Sequence, residues 1–375
     1  YFPSPLPGHD FATIIHHSTV DGLAVILNIL LIFAVIMRSP ATLRSYKVIL
    51  INSAIIDLIS SATMLLTMVR VVGARHVLAY IFDGPCVFFS GFICHCIFTI
   101  MAASLSQSLF LIAASFGYRL YIIGRPSPSN NAVMNACLLL SIPNMIILTT
   151  YIFALDDPED VRAEIRMVRP EYELDDYVLE GHASIFKVFT LFTILAITQP
   201  IGPTLVLIFI MRKKLLTKLT AHSEQMSGRT TQMHKTLTQV LTLQSLLPVF
   251  FSGATVSYAL CLFDIMYSPV QEHFTAECVS FMALLSPAIT LYCMKPYMNF
   301  VVSLVRCDIT EIRRSAMYAN FSEESTYKIH FSEPSTTRTT EIILINSTII
   351  DLVSSSTMLL TMVRIMAAGH VIAYI

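Results

Sequence analysis

Charge is what this chain has least of. Asp, Glu, Lys and Arg make up 13% of its 375 residues, about half of the ~25% found in soluble domains. A net charge of −1, with no basic tail and no interleaving of aromatic with basic residues, leaves nothing for nucleic acid to hold, and no such partner is expected. HExxH, GxSxG, Walker and GxGxxG patterns are all missing, so no enzyme class and no cofactor is indicated. No cleavable leader is visible either. Tyr1 to Asp10 contain no Lys or Arg, and the first apolar run is expected to serve as the insertion signal. Because the chain does not open on Met, its true start is expected upstream.

What fills the sequence instead is apolar: 55% hydrophobic residues and a mean hydropathy of +0.68. Seven runs, at 13–37, 48–69, 92–115, 132–154, 185–211, 240–263 and 275–294, approach the ~20 residues a helix needs to cross hydrocarbon with its backbone satisfied. The prediction is an all-α, polytopic membrane protein. It divides into a short N-terminus 1–12, a seven-helix bundle 13–297, a tail 298–333 and a further segment 334–375.

Basic residues are retained on the cytoplasmic side of a membrane. With the N-terminus outside, the inner segments hold fifteen, among them Arg38, Arg119, Arg125, Arg212, Lys213, Lys214 and Lys218. The outer segments hold six: Arg70, Arg75, Arg162, Arg166, Arg169 and Lys187. The loop 155–184, with ten acids, falls outside. Seven spans with the N-terminus out is a receptor topology, although channels and transporters share the span count.

Several residues do not belong in lipid. Asp57 lies mid-span, five residues after Asn52; a charge at that depth costs ~2.5–3.5 kcal/mol and should face the interior with a partner. Asn28 in span one is the expected hydrogen-bonding neighbour. The three form either a polar hub that repacks on activation or a static clasp between helices. Arg119, beside Tyr118, ends span three and is either an interfacial anchor or a latch over a cytoplasmic cavity. Counting back from it at ~1.5 Å per residue puts Cys94 near the outer interface and Cys86 in the outer loop. Cys261 and Cys278 fall at the same level. Four cysteines allow three full pairings; Cys86 with Cys278 is the preferred bond, and free buried thiols are the alternative. Cys307 is a palmitoylation candidate. His16, His17 and Asp21 are expected as interfacial polar residues and His95 as no metal ligand, its neighbours Cys94 and Cys96 pointing elsewhere on a helix. Pro143, Pro200, Pro203, Pro248 and Pro287 fall within spans four to seven, where each removes a helical hydrogen bond.

Four stretches together make the chain recognisable. They are Ser39-Pro40-Ala41-Thr42-Leu43-Arg44-Ser45-Tyr46-Lys47 leading into Asn52 and Asp57, the pair Tyr118-Arg119, the run Leu241 to Pro248, and Ser286-Pro287-Ala288-Ile289-Thr290-Leu291-Tyr292 before Lys295-Pro296-Tyr297. In order and spacing they resemble the serpentine receptor class delta (Srd) chemoreceptors of nematodes, in the Str group, over about residues 8–315. The resemblance implies a seven-helix chemosensory receptor coupled to a heterotrimeric G protein, in the plasma membrane of a ciliated sensory neuron. It puts Arg119 in the place of the arginine of the rhodopsin-like inner motif. The pocket it implies, for a small chemical ligand, lies in the outer half of the bundle. Candidate lining residues are Phe98 and Met101 on span three, Phe189 on span five, and Phe251 and Tyr258 on one face of span six. Tyr118, Arg119, Lys213, Lys214 and Lys218 form the implied G-protein side. The chain departs from the wider pattern in having Gly117 and Tyr118, not an acid, before Arg119, and no cysteine in 155–184.

Residues 334–375 repeat 40–81 at a constant offset, with 28 identities in 42 positions; Asn52 and Asp57 recur as Asn346 and Asp351. Nothing like span one precedes the copy. It is expected to be a fragment of a tandem duplicate, an orphan eighth helix copying helix two. The rival readings are a multi-span transporter, which would show paired repeats, and a fused, non-functional receptor product.

Overall fold

Helices in this chain start and stop where local chemistry dictates. Ser90, Ser129 and Ser268 each accept a backbone N–H with their side chain at the N-termini of α3 (Gly91–Ile122), α4 (Asn130–Ile152) and α10 (Pro269–Cys293), satisfying donors that a first turn leaves orphaned. Before these come α1 (Gly8–Arg38) and α2 (Tyr46–Thr67). The prolines act as the missing N–H demands. Span five is broken after α6 (Val188–Thr198), at Gln199-Pro200, and resumes as α7 (Ile201–His222). Span six is broken between α8 (Gly228–Gln244) and α9 (Pro248–Leu262), with Pro248 in the first turn of the second half. Pro143 and Pro287 remain inside α4 and α10. A short α11 (Lys295–Val305) follows.

The computed structural model describes residues 8–305 apart from 41, 42, 44, 124, 171, 173, 223–227 and 267. The chain divides into two units, 1–323 and 324–375. The repeat at 334–375, expected as an orphan helix, and Cys307 lie outside the described residues.

Among the described residues seven helices are long and apolar enough to span a membrane: 13–38, 46–67, 91–122, 130–152, 188–221, 236–262 and 271–293. All seven expected runs therefore correspond to helices. Burial sorts them. In α3, 67% of the apolar window is buried, against 17% in span five, so α3 is the central post and span five lies at the periphery. The outward faces of α4 and α7 present Leu138, Leu139, Ile142, Met145, Val206 and Phe209, the side chains a hydrocarbon solvent would cover.

One part of the architecture departs from an all-helical expectation. Val69–Ala74 (β1) and Val77–Phe82 (β2), from the connection between α2 and α3, form an antiparallel hairpin, and Val178–His182 (β3), from the connection between α4 and α6, pairs with β2. Both hairpin strands are rich in Val, Ile, Tyr and Phe, which suit a pleated, packed surface. Register is set by Val69 opposite Phe82 and Tyr80 opposite Glu180. The short helix α5 (Pro158–Val168), capped by Asp157, lies against the sheet through Val161 and Ile165.

Candidate functional site

The sheet roofs a cavity. Side chains of α3, α6, α9 and α10 leave about 160 Å³ between them, closed from above by Val69, Val71, Leu78 and Tyr80 of the hairpin. Phe98 and Met101 come from α3, and Phe251, Ala254 and Tyr258 from α9. Gly73 of β1 approaches Tyr258 so closely that an added Cβ would sit 3.4 Å from its ring. The Tyr80 and Tyr151 hydroxyls are hydrogen-bonded to each other across the cavity edge. Behind that pair stand His95 and His182, with ring centroids 6.3 Å apart. The His182 Nδ1 meets the Ala154 carbonyl at 2.9 Å, and burial pushes its imidazole down to about 4, which keeps it neutral. Burial, and after it the Tyr151 phenol, pushes the Tyr80 hydroxyl up, so it remains a donor.

An ionic frame holds the roof to the helices. Glu272 of α10, fully buried, lies 2.8 Å from Arg70 of β1 and 3.8 Å from Arg169 beyond α5. Tyr172 donates to the same carboxylate; burial and that neighbour push its phenol up. Arg169 also reaches the Gly73 carbonyl at 3.0 Å and Asp264 at 3.2 Å, and Arg75 meets Asp264 at 3.1 Å. A buried carboxylate held by two guanidiniums and a phenol is costly to break from either side. The frame is completed by a disulfide between Cys86 and Cys94, Cα atoms 5.2 Å apart. This corrects the expected Cys86–Cys278 bond. A turn at Pro85–Phe88 folds Cys86 back onto the first turn of α3, and Gly84 lies so close to the Leu66 carbonyl that a Cβ would be 2.3 Å away. Cys278 is instead a free, buried thiol facing Gly253 of α9, and Cys261 is likewise free.

Deeper in the bundle, Asp57 accepts a hydrogen bond from Ser108 of α3 at 2.7 Å and another from Ser286 of α10. A small void joins it to Ser53, Ser115, Gln244 and Thr290. Hydrogen bonds to a charged acceptor are worth ~1.5–3 kcal/mol each, and the two recover part of the cost of burying the carboxyl. Among the described residues Asn28 makes no hydrogen bond to Asp57. Its amide donates to the carbonyls of Ala24 and Ala283, tying α1 to α10, while Asn52 hydrogen-bonds Cys137 of α4. Asn28 thus reaches α10 from α1, Asn52 reaches α4, and Asp57 reaches both α3 and, one turn from the Asn28 contact, α10.

At the end opposite the sheet, Arg119 is only 2% exposed. Its guanidinium carbon lies 4.3 Å from the centroid of the Tyr46 ring, and the Tyr118 ring centroid is 5.6 Å from that of Tyr46. An arginine so buried is no headgroup anchor. Lys213 and Lys214 are exposed on α7, and Lys218 donates to the Leu120 carbonyl at 3.0 Å.

The comparisons with known proteins agree with this arrangement. Residues 13–303 match the family model for the serpentine type 7TM GPCR chemoreceptor Srd. The chain belongs to the Srd serpentine chemoreceptor family. Three Caenorhabditis elegans relatives are similar along most of their length. Serpentine receptor class delta-3 is 28% identical over 74% of this chain and 83% of its own. The figures for class delta-1 are 29%, 76% and 79%, and for class delta-18 they are 31%, 72% and 82%. An Srd chain with seven spanning helices is a multi-pass membrane protein, and the family is not an enzyme class. Within this Srd bundle four of the five expected lining residues, Phe98, Met101, Phe251 and Tyr258, meet at one cavity. Phe189 does not. It is 65% exposed on the outward side of α6, because the peripheral span turns most of its surface away from the bundle. Tyr80 and Tyr151 are lining residues that the sequence did not nominate.

Proposed function

We propose that this Srd chain is a chemosensory receptor that binds a small molecule in the roofed cavity and signals to a heterotrimeric G protein at the Arg119 end. The carrying observation is the cavity itself: an apolar chamber between helices, the usual form of a small-molecule site, closed by a braced sheet. The sheet end faces outside in this reading, and the N-terminus with it, in the plasma membrane of a sensory cell. The disulfide supports that orientation, since such bonds persist in oxidising compartments, as do Arg119, Lys213, Lys214 and Lys218 at the other end.

Helix α3 supports the coupling. It contributes Phe98 and Met101 to the cavity, Ser108 to Asp57 and Arg119 to the far end. A ligand that moves α3 acts on Arg119 about 27 Å from Met101 at the helical rise. The test is ligand-dependent G-protein activation in a reporter cell expressing the full chain. Activation that a bulky substitution at Ala254 abolishes supports the receptor reading. Electrogenic flux in cells lacking the G protein, with no nucleotide exchange in cells that have it, refutes it in favour of a transporter.

A further inference from the structure

The cavity walls are not equally closed. Phe98, Met101 and Leu105 of α3 are buried, as are Ala276 and Val279 of α10 and the roof residues other than Val71. On α6 the balance reverses. Ile194, Ile197 and Thr198 line the space only half-buried, and so do Thr255 and Tyr258 of α9. Elsewhere in the lining half-burial is confined to Val71, Ala102 and Thr275, one each from the roof, α3 and α10. The same two helices barely meet. Among the described residues α6 packs on α4 and touches α3, with no comparable packing onto α9. Neither α6 nor α9 carries a charged residue, and exposed Phe192, Leu195, Val249 and Val256 keep their outer surfaces apolar.

We propose that the cavity is filled from the bilayer, through the gap between α6 and α9, by a small uncharged molecule that partitions into lipid. This deepens the receptor reading and rests on it. The route from water is the better closed of the two, since the Glu272 frame and the Cys86–Cys94 bond hold the roof to the helices. The lateral route opens within hydrocarbon. Thr198 lies ten residues along α6 from Val188, ~15 Å at the helical rise and about half-way through a ~30 Å core. Pro200 and Pro203 supply no N–H across the break below it, which loosens α6 from α7. The chamber asks for the same chemistry as the route. No Asp, Glu, Lys, Arg or His lines it, and Thr193, Thr198, Thr255 and Thr275 donate back to carbonyls of their own helices at 2.7 to 3.2 Å. An ion would forfeit its hydration in the membrane and find no partner inside. Size follows from volume: an apolar cavity of ~150 Å³ accommodates benzene, so the ligand is a single ring or a short chain.

The experiment uses the full chain in nanodiscs with fluorobenzene and 4-fluorobenzoate as probes. Fluorine NMR saturation transfer reads both the bound fraction and the rate of exchange. Fluorobenzene should bind and 4-fluorobenzoate should not. Thr198→Phe and Thr255→Phe, one on each side of the gap, should each slow binding and release about tenfold, because an overpacked passage raises both barriers alike. Affinity should stay within about twofold. Val71→Phe, in the roof, should leave the exchange rate unchanged. The two gap variants lie on different helices, so either one decides should the other fail to fold. Slowing by Val71→Phe alone, exchange that no variant slows, or gap variants that weaken affinity without slowing release overturn the lateral route and leave the cavity as a binding site. Binding of 4-fluorobenzoate as tight as that of fluorobenzene overturns the ligand class. Fluorobenzene binding that Ala254→Leu leaves unchanged, or no fluorobenzene binding at all, overturns the cavity reading as well.

Discussion

The two ends of the bundle handle buried charge in opposite ways. At the sheet end Arg70 and Arg169 meet Glu272, Arg169 and Arg75 meet Asp264, and a phenol fills the remaining acceptor. Cation answers anion, and a covalent bond locks the turn into α3. At the other end Arg119 is as deeply buried but lies on the face of Tyr46 and hydrogen-bonds its hydroxyl, with no carboxylate in an ion pair with it among the described residues. A carboxylate contact in low dielectric is a strong, geometrically narrow restraint, whereas a cation over an aromatic face is worth ~0.5–2 kcal/mol. The difference teaches which end is the stiffer: a braced roof over the cavity, a weaker clasp at the Arg119 end.

Removing Glu272 should break this contrast most severely. Glu272→Ala strands two guanidiniums beneath the sheet and should cost about 3–5 kcal/mol, read as a lowered unfolding temperature in detergent and reduced surface expression. Acid should act on the same end. An unfolded histidine takes its proton near 6.5, but His182 resists until about 4. The unfolded chain therefore binds the extra proton first, and stability falls as pH drops from 6.5 to 4 and levels below that. The contribution approaches ~3 kcal/mol, and His182→Gln should flatten that part of the pH profile. Cutting the disulfide should rank next. Cys86→Ser or Cys94→Ser should each cost about 2–3 kcal/mol, whereas Cys278→Ser should change unfolding far less; the reverse ranking would restore the bond first expected. The smallest change, Tyr46→Leu, removes both the ring face and the hydroxyl that hydrogen-bonds Arg119; it should loosen that restraint by about 2 kcal/mol and show itself as raised ligand-independent signalling, with Tyr46→Phe, which keeps only the face, in between.

How much of this was legible in the sequence depends on what hydropathy encodes. It encodes depth. All seven spans followed from counting residues along apolar runs. It does not encode direction around a helix when lipid and protein interior are equally apolar, and the errors fall there. Phe189 is a membrane aromatic like Phe251, but its helix is peripheral and it faces away. Asn28 and Asp57 both reach α10, Asp57 reaches α3 as well, and Asn52 turns to α4. Phe251 and Tyr258 were placed correctly because their seven-residue spacing puts both on one face whichever way it turns. The sheet was missed for a different reason. Val69 extends the apolar run of span two without a break, and β3 lies a hundred positions from its partner strand, so no local pattern joins them. Tyr80 and Tyr151 went with it, and so did the turn that brings Cys86 onto Cys94.

The roof also has a timetable. Its strands come from two separate loops, Tyr80 pairing with Glu180, and its central ion pair joins residues 202 apart. A ribosome adding ~5–20 residues per second delivers Glu272 about 10–40 s after Arg70. Until then Arg70 waits without its carboxylate, so the finished lid certifies that the seventh spanning helix is in place.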